Sequence, residues 1–272
     1  MRRIRSIAIV VNPSKKGATE IARRIESEAA RELAKVRIIE SFPIPRGSFA
    51  ETDLCCVVGG DGTLLGVVPE AIESNTMLLG VNLGKLGFLA TFDPEDILPR
   101  LKGIISGNYG IEERSLLCCS GQNNWAATAL NDLVIRSGTA GLIGLRVFAD
   151  DSRVNDYSAD GLIIATPTGS TAYNLSAGGP IIHPGTQAIS ITPICPHTLS
   201  NRSMILPDQT HIRVEIECPH ATRKPEVTVD GTYIEHEAIF PIHITRAHKK
   251  LSLVHDFNYS YFEMLRTKLY WS

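Results

Sequence analysis

A short glycine-rich turn at residues 59–63 contains the side chain best suited to chemistry. It has the sequence Gly59-Gly60-Asp61-Gly62-Thr63 and lies between an apolar, strand-like run at 53–58 and a helix-like run from Leu64. Glycines let the backbone approach phosphate groups closely, and the start of a helix offers them free N–H groups. A carboxylate directed at phosphates is repelled unless it binds a metal ion or accepts a proton. The turn therefore indicates a polyphosphate site with Mg²⁺ or base chemistry at Asp61, although glycine and aspartate also occur in ordinary turns.

Three further segments have compositions that suit ligand binding. At 82–89, a second glycine-rich loop, NLGKLGFL, contains Lys85, suited to neutralise phosphate or to stay solvated, and Phe88, by default a core residue. At 160–180, DGLIIATPTGSTAYNLSAGGP, small and hydroxyl residues predominate. They let a planar ligand approach the backbone while hydroxyl groups bind its polar edges, although a buried turn bonded to itself has the same composition. Asn131-Asp132 offers amide and carboxylate oxygens to a sugar diol, or forms a simple turn.

Composition and charge exclude several classes of function. The chain of 272 residues has 27 basic and 29 acidic side chains, and its formal charge of −2 provides no general positive field for nucleic acid. The apolar run near the N-terminus is too short for a secretory signal, and no run approaches the roughly 18 residues of a membrane span. The six cysteines form no CxxC or zinc-finger pattern and suit buried thiols in a reducing compartment. We therefore expect a cytoplasmic protein without nucleic-acid or membrane partners.

The first hundred residues alternate between strand-like and helix-like patterns. Apolar runs rich in β-branched residues predict strands at 6–11, 36–39, 53–58 and 77–81. A second helix is predicted at 64–72, interrupted by Pro69. This order predicts an α/β domain with an open, doubly wound parallel sheet, whose ligands bind beyond the carboxyl ends of the strands. The first helix is predicted from apolar residues at helical spacing, namely Ala18, Ile21, Ala22, Ile25, Ala29 and Leu33.

The pattern changes after about residue 108. Alternating apolar and polar residues at 145–149 and 212–217 predict half-exposed antiparallel strands. A final helix is predicted at 261–269, with Phe262, Leu265 and Leu269 on its apolar face. We therefore expect an α/β domain at 1–107, a mostly β domain at 108–254, and a C-terminal helix at 255–272 that packs back on the first domain.

Taken together, these motifs resemble the NAD kinase family along nearly the whole chain, from Val11-Asn12-Pro13 to the terminal LRTKLYW. The GGDGT turn is shared with other kinase groups, whereas NLGKLGFL, the 160–180 segment and PHTLSNR at 196–202 together resemble NAD kinases alone. The resemblance implies the NAD kinase-like two-domain fold. It also implies transfer of a phosphoryl group from ATP to the 2′-hydroxyl of the adenosine ribose of NAD, giving NADP, with a divalent metal ion such as Mg²⁺.

The resemblance also implies roles for individual residues. Asp61 corresponds to the proton acceptor and, with Gly62, contacts NAD beside the phosphates. Asp160 is implied at the nicotinamide end, as is Cys195 through its backbone. The adenosine of NAD is assigned to Asn131, Asp132, Phe88, Thr171, Ala172, Tyr173, Asn174, Leu175 and Ser176. The donor phosphates are assigned to Gly59, Gly60, Gly62 and Thr63, with the Asp230-Gly231 turn near metal or phosphate. The metal ligands stay unknown.

One position departs from the family pattern. Ser158 stands two residues before Asp160, where many bacterial members have Arg or Lys. The missing cation leaves the donor open between ATP, taken as the default, and inorganic polyphosphate. The resemblance further implies a homodimer or homotetramer whose ligands are NAD and a nucleoside triphosphate.

Two other functions remain open at this stage. One is a different kinase of the GGDGT group that acts on a lipid or a sugar, although the sequence shows no obvious apolar surface for a lipid. The other is a dinucleotide-binding regulator without catalysis, which the retained Asp61 disfavours.

Overall fold

The computed structural model describes residues 3–32, 35–84, 87–138, 141–217, 225–235 and 238–271. It divides into two compact units, Met1–Glu113 with Leu251–Ser272, and Arg114–Lys250. The predicted domain limits, 107/108 and 254/255, lie a few residues from these divisions. Leu33 and Lys85, which the sequence-based predictions name, and Cys218, one of the six cysteines, lie outside the described residues.

The first unit is built on a sheet in the order β2-β1-β3-β4-β18-β5, in which β1 pairs in parallel with β2 and β3, and β4 with β3 and β18. The parallel pairing of these strands agrees with the predicted doubly wound domain. Its strands are β1 Ser6–Val11, β2 Lys35–Ile39, β3 Leu54–Gly59, β4 Met77–Asn82, β5 Gly110–Arg114 and β18 Leu251–His255. Its helices are α1 Ala18–Ala30, α2 Asp61–Leu65, α3 Val68–Ser74, α4 Pro94–Ile105 and α6 Tyr261–Leu269.

Burial explains why these strands read as continuous apolar runs. Every residue of β1, β3 and β4 is buried, as expected for central strands covered on both faces. The helix α1 buries Ala18, Ala22, Ile25 and Ala29, the face that the helical spacing predicted. The core of this unit therefore follows directly from the hydrophobic pattern.

The region after the glycine-rich turn differs from the prediction. The predicted single helix at 64–72 is two short helices, α2 and α3. Pro69 lies in the first turn of α3, where its missing N–H has no intrahelical partner to lose. The proline therefore starts a helix here and does not interrupt one.

The C-terminal helix has the predicted bounds but a different buried face. In α6, Tyr261, Met264 and Leu265 are buried, whereas Phe262 is 61% exposed. Ser260 caps the helix by accepting a hydrogen bond from the Glu263 N–H. The prediction that Phe262 belongs to the apolar face was wrong, because a pattern of three apolar residues fits more than one helical face.

The second unit consists of two antiparallel sheets. One sheet has the order β10-β9-β14-β17-β6-β7 and the other has the order β13-β12-β11-β8-β15-β16. In the first sheet the strands are β6 Leu117–Ser120, β7 Ala126–Ala129, β9 Ile143–Ala149, β10 Ser152–Ala159, β14 Ile212–Ile216 and β17 Ile242–Arg246. In the second they are β8 Asp132–Ser137, β11 Gly161–Ala165, β12 Ala188–Ile194, β13 Met204–Pro207, β15 Pro225–Val229 and β16 Thr232–Tyr233.

Side chains from both sheets form one core within the second unit. Leu145 and Val147 of β9 belong to the same buried cluster as Leu162 and Ile164 of β11. On the other face of β11, Ile163 belongs to a smaller cluster, beside the short helix α5 Tyr173–Ser176. This double covering explains why β11 is buried throughout and lacks the alternation of an exposed strand.

The five cysteines among the described residues are free thiols in differing surroundings. Cys55 and Cys56 are both buried because β3 is covered on both faces, whereas Cys118 is exposed and its neighbour Cys119 is buried. Burial raises the pKa of Cys56 to about 12 and raises the pKa of Cys119 well above its ordinary value. These buried thiols are therefore protonated and unreactive at neutral pH.

No described helix combines the length and the apolar character that crossing a membrane requires.

Candidate functional site

The carboxylate of Asp61 is held by backbone groups of the NLGKLGFL loop. Asp61 Oδ2 accepts a hydrogen bond from the Phe88 N–H at 2.8 Å, and Oδ1 accepts from the N–H groups of Leu89 at 3.2 Å and Ala90 at 3.0 Å. Backbone donors need no side-chain ordering, so they fix the carboxylate with little entropic cost. The two glycine-rich segments, identified separately in the sequence, thus form one structure.

Glycine is required where this loop approaches Asp61. A Cβ built on Gly87 would overlap Asp61 Oδ1, and one built on Gly80 would lie 2.5 Å from the Ala90 Cα. The loop therefore packs directly on the carboxylate and on β4. The sequence shows Gly87 only as part of a glycine-rich loop and does not indicate its contact with Asp61.

The remaining residues of the turn have two kinds of surroundings. Thr63 is buried, and its Oγ1 would lie 2.5 Å from a Cβ on Gly59, so its side chain packs over that glycine. A Cβ on Gly62 would meet nothing within 4 Å. Gly62 therefore borders open space, whereas Gly59 and Thr63 pack against each other.

Phe88 is only partly buried and is not a core residue. Its ring lies 5.8 Å from Lys268 Nζ of α6, within the range of a cation–π contact. The ring and the backbone N–H of one residue thus contact α6 and Asp61, respectively.

In the second unit, the Asp230 carboxylate holds the Asn131-Asp132 turn. Its Oδ2 accepts from the Leu130 N–H at 2.8 Å, and its Oδ1 accepts from the N–H groups of Asn131 at 2.7 Å and Asp132 at 3.1 Å. Asp230 itself adopts a left-handed conformation with φ 48°. Its carboxylate is thus committed to backbone donors, and these contacts give it a positioning role.

The two carboxyl groups of this turn differ from ordinary aspartates. Burial, followed by the charge of Asp230, raises the pKa of Asp132 to about 7. Burial also raises the pKa of Asp230, while its three backbone hydrogen bonds act in the opposite direction. Asp132 therefore titrates near neutral pH, a property that sequence alone did not indicate.

The hydroxyl-rich segment is joined to the same turn. Thr166 Oγ1 donates to the Leu130 carbonyl oxygen at 2.5 Å, and the Thr166 N–H donates to the Asn131 carbonyl oxygen at 2.9 Å. A Cβ on Gly169 would overlap that Asn131 oxygen, so the backbones lie in direct contact. The structure thus brings the hydroxyl-rich segment together with Asn131 and Asp132.

Asn174 lies at the centre of this segment and is fully buried. Its Nδ2 donates to the carbonyl oxygens of Ser170 at 3.2 Å and Pro180 at 3.1 Å. Its Oδ1 accepts from Ser190 Oγ at 3.3 Å and Thr192 Oγ1 at 2.7 Å. All four hydrogen-bonding positions of the amide are therefore used within the protein, which leaves none for a ligand.

Other residues of the segment are open to solvent. Tyr173 and Ser176 are exposed, while Thr171, Ala172 and Leu175 are partly buried. These five side chains are accessible, in contrast to that of Asn174.

Asp160 and Cys195 lie together at the other end of β11. The Asp160 N–H donates to the Ile194 carbonyl oxygen at 2.9 Å, and Gly161 pairs with Ile194. Asp132, by contrast, pairs with Ala165 at the far end of β11. The two predicted groups of NAD contacts are therefore separated by the length of that strand, about 13 Å at 3.3 Å per residue.

An α/β unit whose glycine-rich turn carries a carboxylate held by backbone N–H groups, and an antiparallel unit with a hydroxyl-rich segment, define a two-domain kinase of the GGDGT group. The model of the ATP-NAD kinase N-terminal domain matches residues 47–109, and that of the ATP-NAD kinase C-terminal domain matches residues 130–256. The chain belongs to the NAD kinase family. The predicted family and fold class are thus confirmed.

Curated relatives agree over most of the chain. An NAD kinase from Clostridium beijerinckii is 38% identical over 97% of this chain and 95% of its own length. An NAD kinase from Pectobacterium atrosepticum is 39% identical over 91% of this chain and 86% of its own. The similarity therefore extends across both units.

Solved structures show the same fold. Yeast NADH kinase in complex with NADH has a TM-score of 0.87 at 25% identity and covers 100% of this chain and 89% of its own. An NAD kinase from Archaeoglobus fulgidus in complex with ATP has a TM-score of 0.81 at 24% identity, with coverage of 97% and 98%.

Proposed function

We propose that the chain transfers the terminal phosphoryl group of ATP to the 2′-hydroxyl of the adenosine ribose of NAD, giving NADP and ADP. Family membership establishes an NAD kinase activity that uses ATP, and excludes both a lipid or sugar kinase and a regulator without catalysis. The observation that carries the residue assignment is the fixation of the Asp61 carboxylate by three backbone N–H groups.

Asp61 is the proposed proton acceptor. Its Oδ1 already accepts two hydrogen bonds, whereas Oδ2 accepts one and keeps a lone pair for the ribose hydroxyl. The hydroxyl oxygen forms the new bond to phosphorus, the bond from phosphorus to the bridging oxygen breaks, and the hydroxyl proton passes to Oδ2. A carboxylate is a weak base toward an alcohol, so this transfer occurs late, as the hydroxyl acidifies on bonding to phosphorus.

The adenosine of NAD is assigned to the buried Asp132 with its neighbour Asn131, and to accessible side chains of the hydroxyl-rich segment. Asn131 and Asp132 accept ribose or base hydrogens, and Thr171, Ala172, Tyr173, Leu175 and Ser176 bind the adenine side, with Phe88 as an aromatic wall. Asn174 is assigned to the support of that segment, because its polar groups are saturated. Asp160 and the backbone of Cys195 are assigned to the nicotinamide end, and Gly62 to the phosphates beside Asp61.

The donor phosphates are assigned to the turn at Gly59, Gly60, Gly62 and Thr63. Backbone approach and charge neutralisation supply most of the acceleration in phosphoryl transfer. Asp230-Gly231 supports the Asn131-Asp132 turn and is no longer assigned to phosphate, because the carboxylate is occupied by backbone donors.

A divalent metal, Mg²⁺ by preference, belongs to this proposal. Within the described ranges, no group of three His, Cys, Asp or Glu side chains is arranged to hold a metal ion. The residues therefore fit an ion that arrives on the nucleotide phosphates and takes one or two protein ligands, as Mg²⁺ commonly does. Bound there, the ion would neutralise charge on the donor.

Three further properties belong to the proposal. Inorganic polyphosphate is a second donor, because Ser158 provides no cation where many bacterial members have one. A homodimer or homotetramer and a cytoplasmic location follow from the family resemblance and from the reduced cysteines.

The direct test combines donors and acceptors. The purified chain is incubated with ATP, GTP or polyphosphate and with NAD or NADH, in the presence of magnesium, and the product is identified by phosphorus NMR. We expect NADP from NAD and ATP, phosphorylated at the 2′ position. Binding of NAD without product from any donor would overturn the proposal.

A further inference from the structure

The proposed function leaves the chemistry of the Asn82 side-chain amide unexplained. Asn82 is 3% exposed at the end of β4, and its Nδ2 is buried without a hydrogen-bond partner among the described residues. A buried donor without an acceptor costs about 1–3 kcal/mol, and native proteins rarely retain one without a reason.

The position of Asn82 is fixed by its backbone. Its N–H donates to the Phe92 carbonyl oxygen at 2.8 Å, and the next residue, Leu83, donates to the Gly59 carbonyl oxygen at 3.2 Å. Asn82 also pairs with Gly59 across β3 and β4. The residue thus lies at the carboxyl ends of two adjacent parallel strands, where open α/β sheets bind their ligands.

The amide faces the glycine-rich turn. Among the described residues, and apart from its two chain neighbours, a Cβ built on Gly60 would meet only Asn82 Oδ1 within 4 Å, at 3.9 Å. The space beside Gly60 is therefore open apart from this amide. The oxygen, and not the nitrogen, is thus the amide atom beside Gly60. A 180° rotation of the amide exchanges the two atoms, which moves the Nδ2 donor beside Gly60 and out of the position where it lacks a partner.

The chemistry of the missing partner is that of an anionic oxygen. An amide N–H₂ group has two donors, and the nearby Asp61 carboxylate already accepts three N–H groups. A phosphoryl oxygen of a ligand bound at the turn is a strong acceptor for the N–H groups of this amide. The ribose hydroxyl is a less suitable acceptor for the Asn82 amide, because the proposed reaction places this hydroxyl at Asp61.

We propose that the Asn82 amide donates a hydrogen bond to a phosphoryl oxygen of the donor nucleotide bound at Gly59–Gly62. The inference rests on the proposed function for the place of the donor, and adds a phosphate-binding residue that carries no charge. Asn82 then selects the donor by hydrogen-bond geometry and not by attraction between charges.

Two substitutions test this role. Asn82→Leu has a similar shape and removes the buried donor, and Asn82→Asp places a negative charge where the phosphate is proposed. We expect kcat/KM for ATP to fall about 10- to 100-fold in Asn82→Leu and further in Asn82→Asp, with KM for NAD unchanged within about twofold. Because Leu removes an unpaired donor, we expect the melting temperature of Asn82→Leu to be equal to or above that of the wild type.

Matched controls separate binding from folding. Asn75→Asp makes the same change near the opposite end of β4 and should leave kcat/KM for ATP unaltered. The inference is overturned if Asn82→Leu keeps kcat/KM for ATP within twofold of the wild-type value. It is also overturned if the melting temperature of Asn82→Leu falls and its kcat/KM values for ATP and for NAD decrease by the same factor.

Calorimetry with a non-hydrolysable ATP analogue and magnesium keeps the test independent of turnover. We expect the dissociation constant to rise at least about tenfold in Asn82→Leu, the loss of one charge-assisted hydrogen bond. Absence of NADP formation by the wild type would contradict the proposed function, whereas equal affinity of wild type and Asn82→Leu for the analogue would contradict the role of Asn82.

Discussion

Asp132 and Asp230 are joined by two hydrogen bonds, and each residue donates one of them. The Asp132 N–H donates to the Asp230 carboxylate at 3.1 Å, and the Asp230 N–H donates to the Asp132 carbonyl oxygen at 3.0 Å. The pairing holds a buried and a partly buried aspartate together, although the residues are far apart in sequence. Burial, followed by the charge of Asp230, raises the pKa of Asp132, and burial raises the pKa of Asp230.

The stability of the second unit should depend on the protonation of Asp132. Its pKa is about 7 in the folded protein against 3.8 in an ordinary aspartate, so the folded state binds the proton more tightly. The resulting stabilisation is fully present below the unfolded pKa and is lost as pH rises through about 7. Relative to Asp132→Asn, the wild-type free energy of unfolding should therefore fall by about 1–3 kcal/mol between about pH 5 and 8. Denaturant titrations of both proteins measure this difference, and a constant difference across that range would refute the assignment.

Replacement of Gly87 by alanine should damage activity more than stability. The added Cβ overlaps the Asp61 carboxylate, so either the carboxylate or the loop must move. We expect kcat to fall at least about tenfold, since a small misplacement of a reacting group has a large effect on rate. Gly103→Ala in α4, whose Cβ would lie 3.6 Å from Asn108, is the matched control and should keep full activity. Equal activities of the two variants would show that the contact at Asp61 is not required.

Asp61→Asn should abolish turnover and leave NAD binding intact. The amide is nearly the same size but does not accept a proton, so we expect kcat to fall by about 10²–10⁴. The affinity for NAD, measured by calorimetry, should change little. Asp53→Asn, which alters an aspartate just before β3 whose carboxylate binds the backbone of Arg5 and Ser6, serves as control. Substantial turnover by Asp61→Asn would exclude Asp61 as the base.

A residue of β12 that supports the hydroxyl-rich segment and a residue within that segment should respond in opposite ways. Thr192→Val removes a 2.7 Å hydrogen bond to the buried Asn174 amide and should lower the free energy of unfolding by about 1–2 kcal/mol. Ser176→Ala changes an exposed side chain and should leave stability unchanged while raising KM for NAD. Thermal melts and initial-rate kinetics on both variants test the separation. If Ser176→Ala melted early with KM for NAD unaltered, the assigned roles would be reversed.

The sequence predicted the parts whose pattern is local. Runs of buried β-branched residues identified β1, β3 and β4, and the family motifs identified Asp61 and the hydroxyl-rich segment. The pairing of Asp61 with the backbone of residues 88–90, and of Asp230 with that of residues 130–132, arises from long-range packing that no local pattern contains. Asn174 belongs to a motif assigned to the ligand, and only its burial shows that it supports the segment. Likewise, Phe262 matched a helical spacing, but the choice of buried face depends on what the helix packs against.

The strand β18 lies between β4 and β5, although it follows the whole second unit in the chain. The continuous second unit can therefore fold as soon as it leaves the ribosome, whereas the first sheet keeps an empty position until residues 251–255 arrive. Late closure over so long a separation is slow, and meanwhile the edges of β4 and β5 stay unpaired and open to association with other chains. The earliest part of the chain to be synthesised is thus among the last to be completed.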